Sequence, residues 1–435
     1  MSTEIGRQKS GVQNKPYYGY SWVILIVLIL AYFVDVFMRY NIPTVIPTLM
    51  KTYNWDASTV GWVDSSYLWA YAIMQIPWGY MSEKWLGARW TITIGTGLIA
   101  FASILFAFNV QNLGLGILSR VLIGAGAAAI WVPANPMLAR WFAPSHRGLQ
   151  TGLLGIGGTL GTFIGGAFMP ILVTSVAFAG LSNIQSGFLI SAIPGLIMII
   201  LVPLLVKNRP EQIGLPSLDK MESADIESKS EPDLDEPSFG YIMLHSKYPY
   251  IIAIVYAGFL GTMYFVFTWF AAYLGTTYHI NVKSAGLLWA ISATIPGLIS
   301  QPLSGWISDK IGHKKAASLA LLLTAIFSSV FIIFASVGNK IPLAVTMAGM
   351  VIFALFVNMW VLIWPFTTMM FPTKAGGSIG GVMNTAAQLV GAAAPVVSGY
   401  IIKGTNSYTG VFVLGTACAL IGFTASLFLK EHRVV

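Results

Sequence analysis

Apolar runs of about twenty residues, parted by short polar connections, recur along the whole chain. An α-helix rises about 1.5 Å per residue, so each run is long enough to cross a hydrocarbon layer about 30 Å thick. The pattern predicts twelve such segments: 20–47, 58–81, 91–110, 113–139, 148–176, 184–206, 249–275, 284–307, 315–337, 341–369, 376–402 and 408–430. Lysine and arginine crowd every second connection. Arg7, Lys9, Lys15, Lys84, Arg89, Arg140, Arg147, Lys207, Arg209, Lys220, Lys229, Lys247, Lys310, Lys314, Lys315, Lys374, Lys430 and Arg433 fall on one side. The other side holds only Lys51, Lys283, Lys340 and Lys403. The positive-inside rule then places both termini in the cytoplasm, and only an even number of spans keeps the alternation.

Composition agrees with a multi-span membrane protein. Of 435 residues, 56% are hydrophobic and 9% charged, with a net charge of +8; the mean hydropathy is +0.74. A soluble globular domain is excluded. The positive charge follows the topology, so it does not point to nucleic acid. The polar N-terminus lacks a leader's short apolar core and small-residue cleavage site, so the first span is expected to be retained. Cys418 is the only cysteine, which excludes an internal disulfide. Residues 207–247 mix acidic and basic side chains with Pro210, Pro216, Pro232 and Pro237. They read as a solvated cytoplasmic linker, a plain tether rather than a phosphorylated switch at Ser223, Ser228 or Ser230.

The chain also repeats itself. GYMSEKWLGAR begins at Gly79, and GWISDKIGHKK begins at Gly305, 226 residues later. FAPSHRG around Pro144 is echoed by FPTKAG around Pro372 at an offset of 228. Two landmarks at nearly one offset argue for a duplicated six-span unit whose copies run parallel. The expected architecture is therefore all-α: a cytoplasmic N-terminus at 1–19, six helices over 20–206, the linker at 207–247, six helices over 248–430 and a cytoplasmic C-terminus at 431–435.

Charge inside a span is costly, about 2.5–3.5 kcal/mol per residue on insertion scales, and usually faces a cavity. Asp35 and Arg39 lie four apart in the first span, on one helical face. Arg120, in the fourth, is the other intramembrane arginine. A guanidinium keeps its charge and offers a planar fork suited to a carboxylate or phosphate. Two of them favour an anionic substrate, although Arg120 is also suited to binding carbonyls and bracing helices. Tyr71, Gln75, Tyr264, Asn358 and Asn384 could hydrogen-bond substrate hydroxyls or bridge helices. Trp269, Trp360 and Trp364 read as packing or belt residues, and the glycine-rich stretches 152–166 and 376–391 as close helix contacts. No metal-ligand spacing, catalytic triad or phosphate-binding loop is present, so neither an enzyme nor a cofactor is expected.

The repeated loops resemble the G-x-x-x-D-[RK]-x-G-x-[RK] motif of the major facilitator superfamily, with Glu83 replacing the acid in the first copy. YAIMQIPWG from Tyr71, Arg120-x-x-x-Gly124-x-Gly126, YFVFTWFAAYL from Tyr264 and GSIGGVMN from Gly377 resemble its anion:cation symporter branch. The branch often places Asp beside the first-span Arg and Glu after the second fourth-span glycine; here those positions are Met38 and Ala127. The resemblance implies a secondary transporter with alternating access and no enzymatic activity. Glu83 and Asp309, with Gly79, Gly305 and Lys310, would then form the cytoplasmic gate. The combined expectation is a multi-pass, monomeric carrier of the plasma membrane, moving a small carboxylate or sugar acid with protons. Arg39, Arg120, Tyr71, Gln75, Tyr264, Asn358 and Asn384 would bind the anion, and Asp35 would couple the proton. A sugar-phosphate or phosphate antiporter and a non-transporting sensor are the alternatives. The antiporter suits the chain less well because Pro249–Thr277 contains no Lys, Arg or His.

Overall fold

A computed structural model describes residues 18–138, 140–142, 147–216, 237, 239–371 and 373–432. The two ends and most of the expected linker lie outside the described residues. Twelve long helices, labelled by span, follow in order: α1 Gly19–Tyr40, α2 Ala57–Met81, α3 Gly87–Asn109, α4 Leu113–Leu138, α5 Arg147–Ser175 and α6 Ile193–Leu205. They continue with α7 Tyr248–Tyr278, α8 Val282–Ile311, α9 His313–Val337, α10 Leu343–Val357, α11 Thr373–Thr405 and α12 Thr409–Ser426. By length and apolar composition, eleven helical runs among the described residues could cross a membrane. One of them, Ala57–Asn109, has 53 residues. At 1.5 Å per residue it would be about 80 Å long, far more than one crossing needs. Gly87, with φ +71°, divides it into α2 and α3.

Three spans depart from the expected continuous helices, each at proline. The first stops at Tyr40, makes a 3₁₀ turn over Pro43–Val45 and resumes as Ile46–Tyr53. The sixth is divided near Pro194, between Asn183–Ser191 and α6. The tenth leaves the α form at Val357, runs as a 3₁₀ segment over Asn358–Ile363, and resumes at Phe366 after Pro365. Proline has no N–H to donate to the preceding turn. Such breaks survive inside a membrane only where other groups take up the freed carbonyls.

Two matching ties lie at one end of the bundle. The Asn208 side chain, just after α6, accepts from the Arg89 backbone N–H at 2.8 Å beside Gly87. The Glu431 carboxylate, just after α12, accepts from the Lys314 backbone N–H at 2.5 Å beside Gly312. Tyr20 of α1 donates to the Leu205 carbonyl of α6, while Lys430 stands 5.4 Å from the Tyr248 ring centroid of α7. Corresponding elements of the two repeats are thus fastened at corresponding places, on what we call the terminal face.

The first six helices meet the last six chiefly toward the opposite face. Down the α2–α11 seam, Gly399 packs on Ala57 and Gly61 on Pro395, positions where a Cβ would strike the partner backbone. Ser65 donates to the Ala392 carbonyl, and nearer the terminal face Asn384 donates to Gln75 at 3.0 Å. On α5 and α8, Gly166 lies against Trp289, and Gly286 against Pro170. Toward the terminal face, Gly155 and Gly305 have nothing within 4 Å of where a Cβ would stand. The close contacts between the halves thus gather toward the opposite face, which we call the sealed face.

An ion pair clasps the sealed face. Lys403, near the end of α11, stands 2.8 Å from Asp56, which caps the start of α2. Each charge also meets the helix pole of opposite sign. The Lys403 amine, the Thr59 N–H and the Ser58 hydroxyl hold the Asp56 carboxyl well below the usual carboxylate range. A depressed carboxyl contributes its stabilisation above its unfolded value, about 3.9, and loses it as the pH falls through the folded value. Between pH 8 and 5 the clasp should therefore hold. Asp56→Asn should increase spin-label distances across this face, whereas acidification of the wild type to pH 5 should leave them unchanged. Unaltered distances in Asp56→Asn would show that small-residue packing alone makes the seal.

Candidate functional site

The site is built around the interrupted first span. Ending α1 at Tyr40 leaves its last carbonyls without helical donors. Arg120, 1% exposed on α4, supplies them: Nη1 donates to the Met38 carbonyl at 2.8 Å and to Asn41 Oδ1 at 3.1 Å. This fixes the backbone on either side of Arg39. Arg120 does not face Arg39 across an open space; it is buried behind it, and of the two readings open to it the bracing one describes its contacts. Its nearest acid is Asp64 of α2, 3.6 Å from Nη2.

Arg39 is the more accessible guanidinium, with its side chain 11% exposed. Nη2 lies 3.4 Å from Asp35 Oδ1, as the four-residue spacing predicts. Nη1 donates to the Tyr264 hydroxyl of α7 at 3.1 Å, and Tyr264 donates onward to Gln388 of α11 at 2.9 Å. The Arg39 carbon lies 4.4 Å from the Tyr71 ring centroid, so charge rests on an aromatic face. Asp35, fully buried, has a stronger partner than its arginine: Tyr67 donates to Oδ1 at 2.6 Å. The Tyr67 ring also lies 4.9 Å from the Arg120 carbon and 5.9 Å from that of Arg39. One tyrosine therefore touches both acid–guanidinium pairs.

Asp64, Tyr67, Tyr71 and Gln75 recur at spacings of three and four, forming a stripe on one face of α2. Gln75 is about 6 Å beyond Tyr71 along the axis, and its amide meets Asn384 across the seam. Besides Arg120 Nε and Nη2, three buried polar atoms at the site have no hydrogen-bond partner among the described residues: Arg39 Nε, Asp35 Oδ2 and Gln75 Nε2. Two are donors and one an acceptor, a set that a hydroxylated carboxylate can satisfy.

Arg39, Tyr71 and Tyr264 come together, and Gln75 and Asn384 pair one turn further along α2. Asn358 does not join them. Its amide donates to the Ala354 carbonyl at 2.8 Å and to Ala293 at 3.4 Å, bracing the change from α to 3₁₀ in the tenth span against α8. Gly79 and Gly305 lie toward the ends of α2 and α8, and Lys310 stands 3.8 Å from the Trp306 ring centroid. The side chains of Glu83 and Asp309 lie outside the described residues. Tyr67 and Gln388 were missed by the sequence reading. Tyr67 could have been found from its place on the stripe between Asp64 and Tyr71, whereas Gln388 sits in a glycine-rich stretch read as packing.

Comparison with known proteins places the fold in a family. A profile of the Major Facilitator Superfamily matches residues 28–395 and 270–434. The hexuronate transporter of Bacillus subtilis is 26% identical over 411 residues, covering 92% of this chain and 93% of its own. A probable sulfoacetate transporter of Cupriavidus necator is 25% identical over 419 residues, covering 95% and 94%. Among solved structures, a bacterial homologue of the human lysosomal transporter Spinster superposes with a TM-score of 0.76 at 15% identity, covering 96% of this chain and 99% of its own. The expected all-α transporter fold holds, and the chain belongs to the major facilitator superfamily: it is a membrane transporter, not an enzyme.

Proposed function

We propose that this transporter carries a small organic anion, a carboxylate or sugar acid, together with protons across the cell membrane. Two six-helix halves rock about the Arg39 site, with both termini in the cytoplasm. The observation that carries the reading is the Arg39 guanidinium, held where α1 meets α7 with its Nε–H unpartnered. The two relatives, a hexuronate transporter and a probable sulfoacetate transporter, support an anion. The facing stretch of α7 brings no second cation, which fits a monocarboxylate better than a phosphate. Anchored on Arg39, a chain of several carbons would reach the Gln75–Asn384 amides about 6 Å further along α2. Arg120 then serves as a positioning residue, and Glu83 and Asp309 are proposed to close the terminal face. The Lys/Arg bias supports the orientation.

The test is uptake into proteoliposomes of labelled glucuronate, a dicarboxylate, a phosphomonoester and a neutral sugar, with and without an inward proton gradient. Gradient-driven accumulation of glucuronate or the dicarboxylate is the expected result. Transport of the phosphomonoester alone, by exchange, would replace this reading with the antiporter.

A further inference from the structure

Asp64 is the charged group left over once Arg39 and Asp35 have been given roles. Its side chain is 4% exposed, and among the described residues its only close ionic neighbour is Arg120 Nη2 at 3.6 Å. That guanidinium already spends Nη1 on Met38 and Asn41, while its Nε and Nη2 make no hydrogen bond. Among the described residues no hydrogen bond reaches the Asp64 carboxylate, whereas Asp35 receives one at 2.6 Å from Tyr67. Tyr67 precedes the next turn of the same helix, and Tyr40 of α1 and Tyr264 of α7 lie within charge-interaction range. A buried carboxylate with one long contact and no donor is poorly solvated as an anion and well tolerated with a proton.

Its position ties it to the conformational change. Gly61 and Ser65, on either side of Asp64 in the chain, both press on α11, against Pro395 and the Ala392 carbonyl. Parting α2 from α11 at the sealed face lifts both residues away and brings water within one residue of Asp64. Closing the seam shuts that water out again. A carboxylate that is hydrated in one state and sealed in the other changes its proton affinity with the state.

We infer that Asp64 is a second proton-carrying residue of the transport cycle, alongside Asp35, so that two protons accompany each anion. This rests on the proton-coupled reading above. The proton comes from water at the sealed face when that face opens, rides on a carboxylate oxygen, and leaves toward the terminal face after the anion departs. No other bond is made or broken. A monocarboxylate with two protons moves one net positive charge per cycle; with one proton it moves none.

The experiment follows glucuronate uptake into proteoliposomes at a fixed pH gradient, with the membrane potential set by potassium and valinomycin. Wild-type uptake should rise with an inside-negative potential, and its reversal should give two protons per anion. Asp64→Asn should keep gradient-driven uptake, lose the response to potential and give one proton per anion. Asp64→Glu should restore both. A wild type with one proton per anion, or an Asp64→Asn variant that keeps two, overturns the inference and leaves the proton-coupled reading standing. Loss of internal-for-external exchange in Asp64→Asn also overturns it, marking Asp64 as a structural partner of Arg120. A wild type unresponsive to any proton gradient overturns the underlying reading as well.

Discussion

Arg39→Lys is expected to weaken anion binding tenfold to a hundredfold while leaving the protein folded. The lysine keeps the positive charge but loses the planar fork, so it cannot hold a carboxylate, Tyr264 and Asp35 together. A hydrogen bond to a charged group is worth about 1.5–3 kcal/mol, and about 1.4 kcal/mol is tenfold in affinity. The ammonium would also lose the broad stacking contact with Tyr71. Titration calorimetry or ligand-induced thermal shift in detergent, with glucuronate as probe, measures the change. Wild-type affinity in Arg39→Lys would remove Arg39 from the anion site. Arg120→Gln should act differently, lowering folded yield before it lowers affinity, because it strips the cap from α1.

Asp35→Asn should cut accumulation against a one-unit pH gradient about tenfold and spare exchange of internal for external substrate. In the free site Arg39 and Tyr67 both favour the ionised carboxylate. An anion that engages Arg39 removes part of that support, and the carboxylate takes up a proton. Proton and anion then promote one another's binding, a reciprocal linkage. Asparagine copies the protonated form permanently and still accepts from Tyr67. One pH unit is worth about 1.4 kcal/mol per proton, about tenfold in accumulation. Wild-type vesicles should therefore concentrate the anion at least that far, and the variant should fall short of the wild type by that one factor. Accumulation equal to the wild type would move coupling wholly to Asp64; loss of exchange would make Asp35 a structural residue.

The spans were legible because hydropathy and the alternation of basic loops are local properties of sequence. The Asp35–Arg39 contact was legible for the same reason, since four residues along a helix fix the geometry. What joins different helices was not. Asp64 and Arg120 are distant in sequence, and nothing in spacing announces that one lies against the other. Asn358 looked like Gln75 or Asn384, a lone polar group in an apolar run. The 3₁₀ segment beside it gave its amide a backbone carbonyl to serve instead. Tyr67 was hidden among many aromatics, most of which do pack or line an interface. Prolines at 43, 194 and 365 marked the breaks, but a broken span and a merely kinked one read alike until the capping groups are seen.

The matching ties on the terminal face have a mechanical consequence. In each repeat the stretch just after the sixth helix is fastened to the entrance of the third, by Asn208 in one and Glu431 in the other. The Tyr20–Leu205 bond and the Lys430–Tyr248 contact fasten the sixth helix to the first. Six helices held in this way form a hoop with no loose end, and a hoop tilts as one piece where an open row would splay. Lys430 and Glu431 are then fastenings rather than part of a tail. Fusing a partner directly after Leu429 would leave the second hoop unfastened and the first intact.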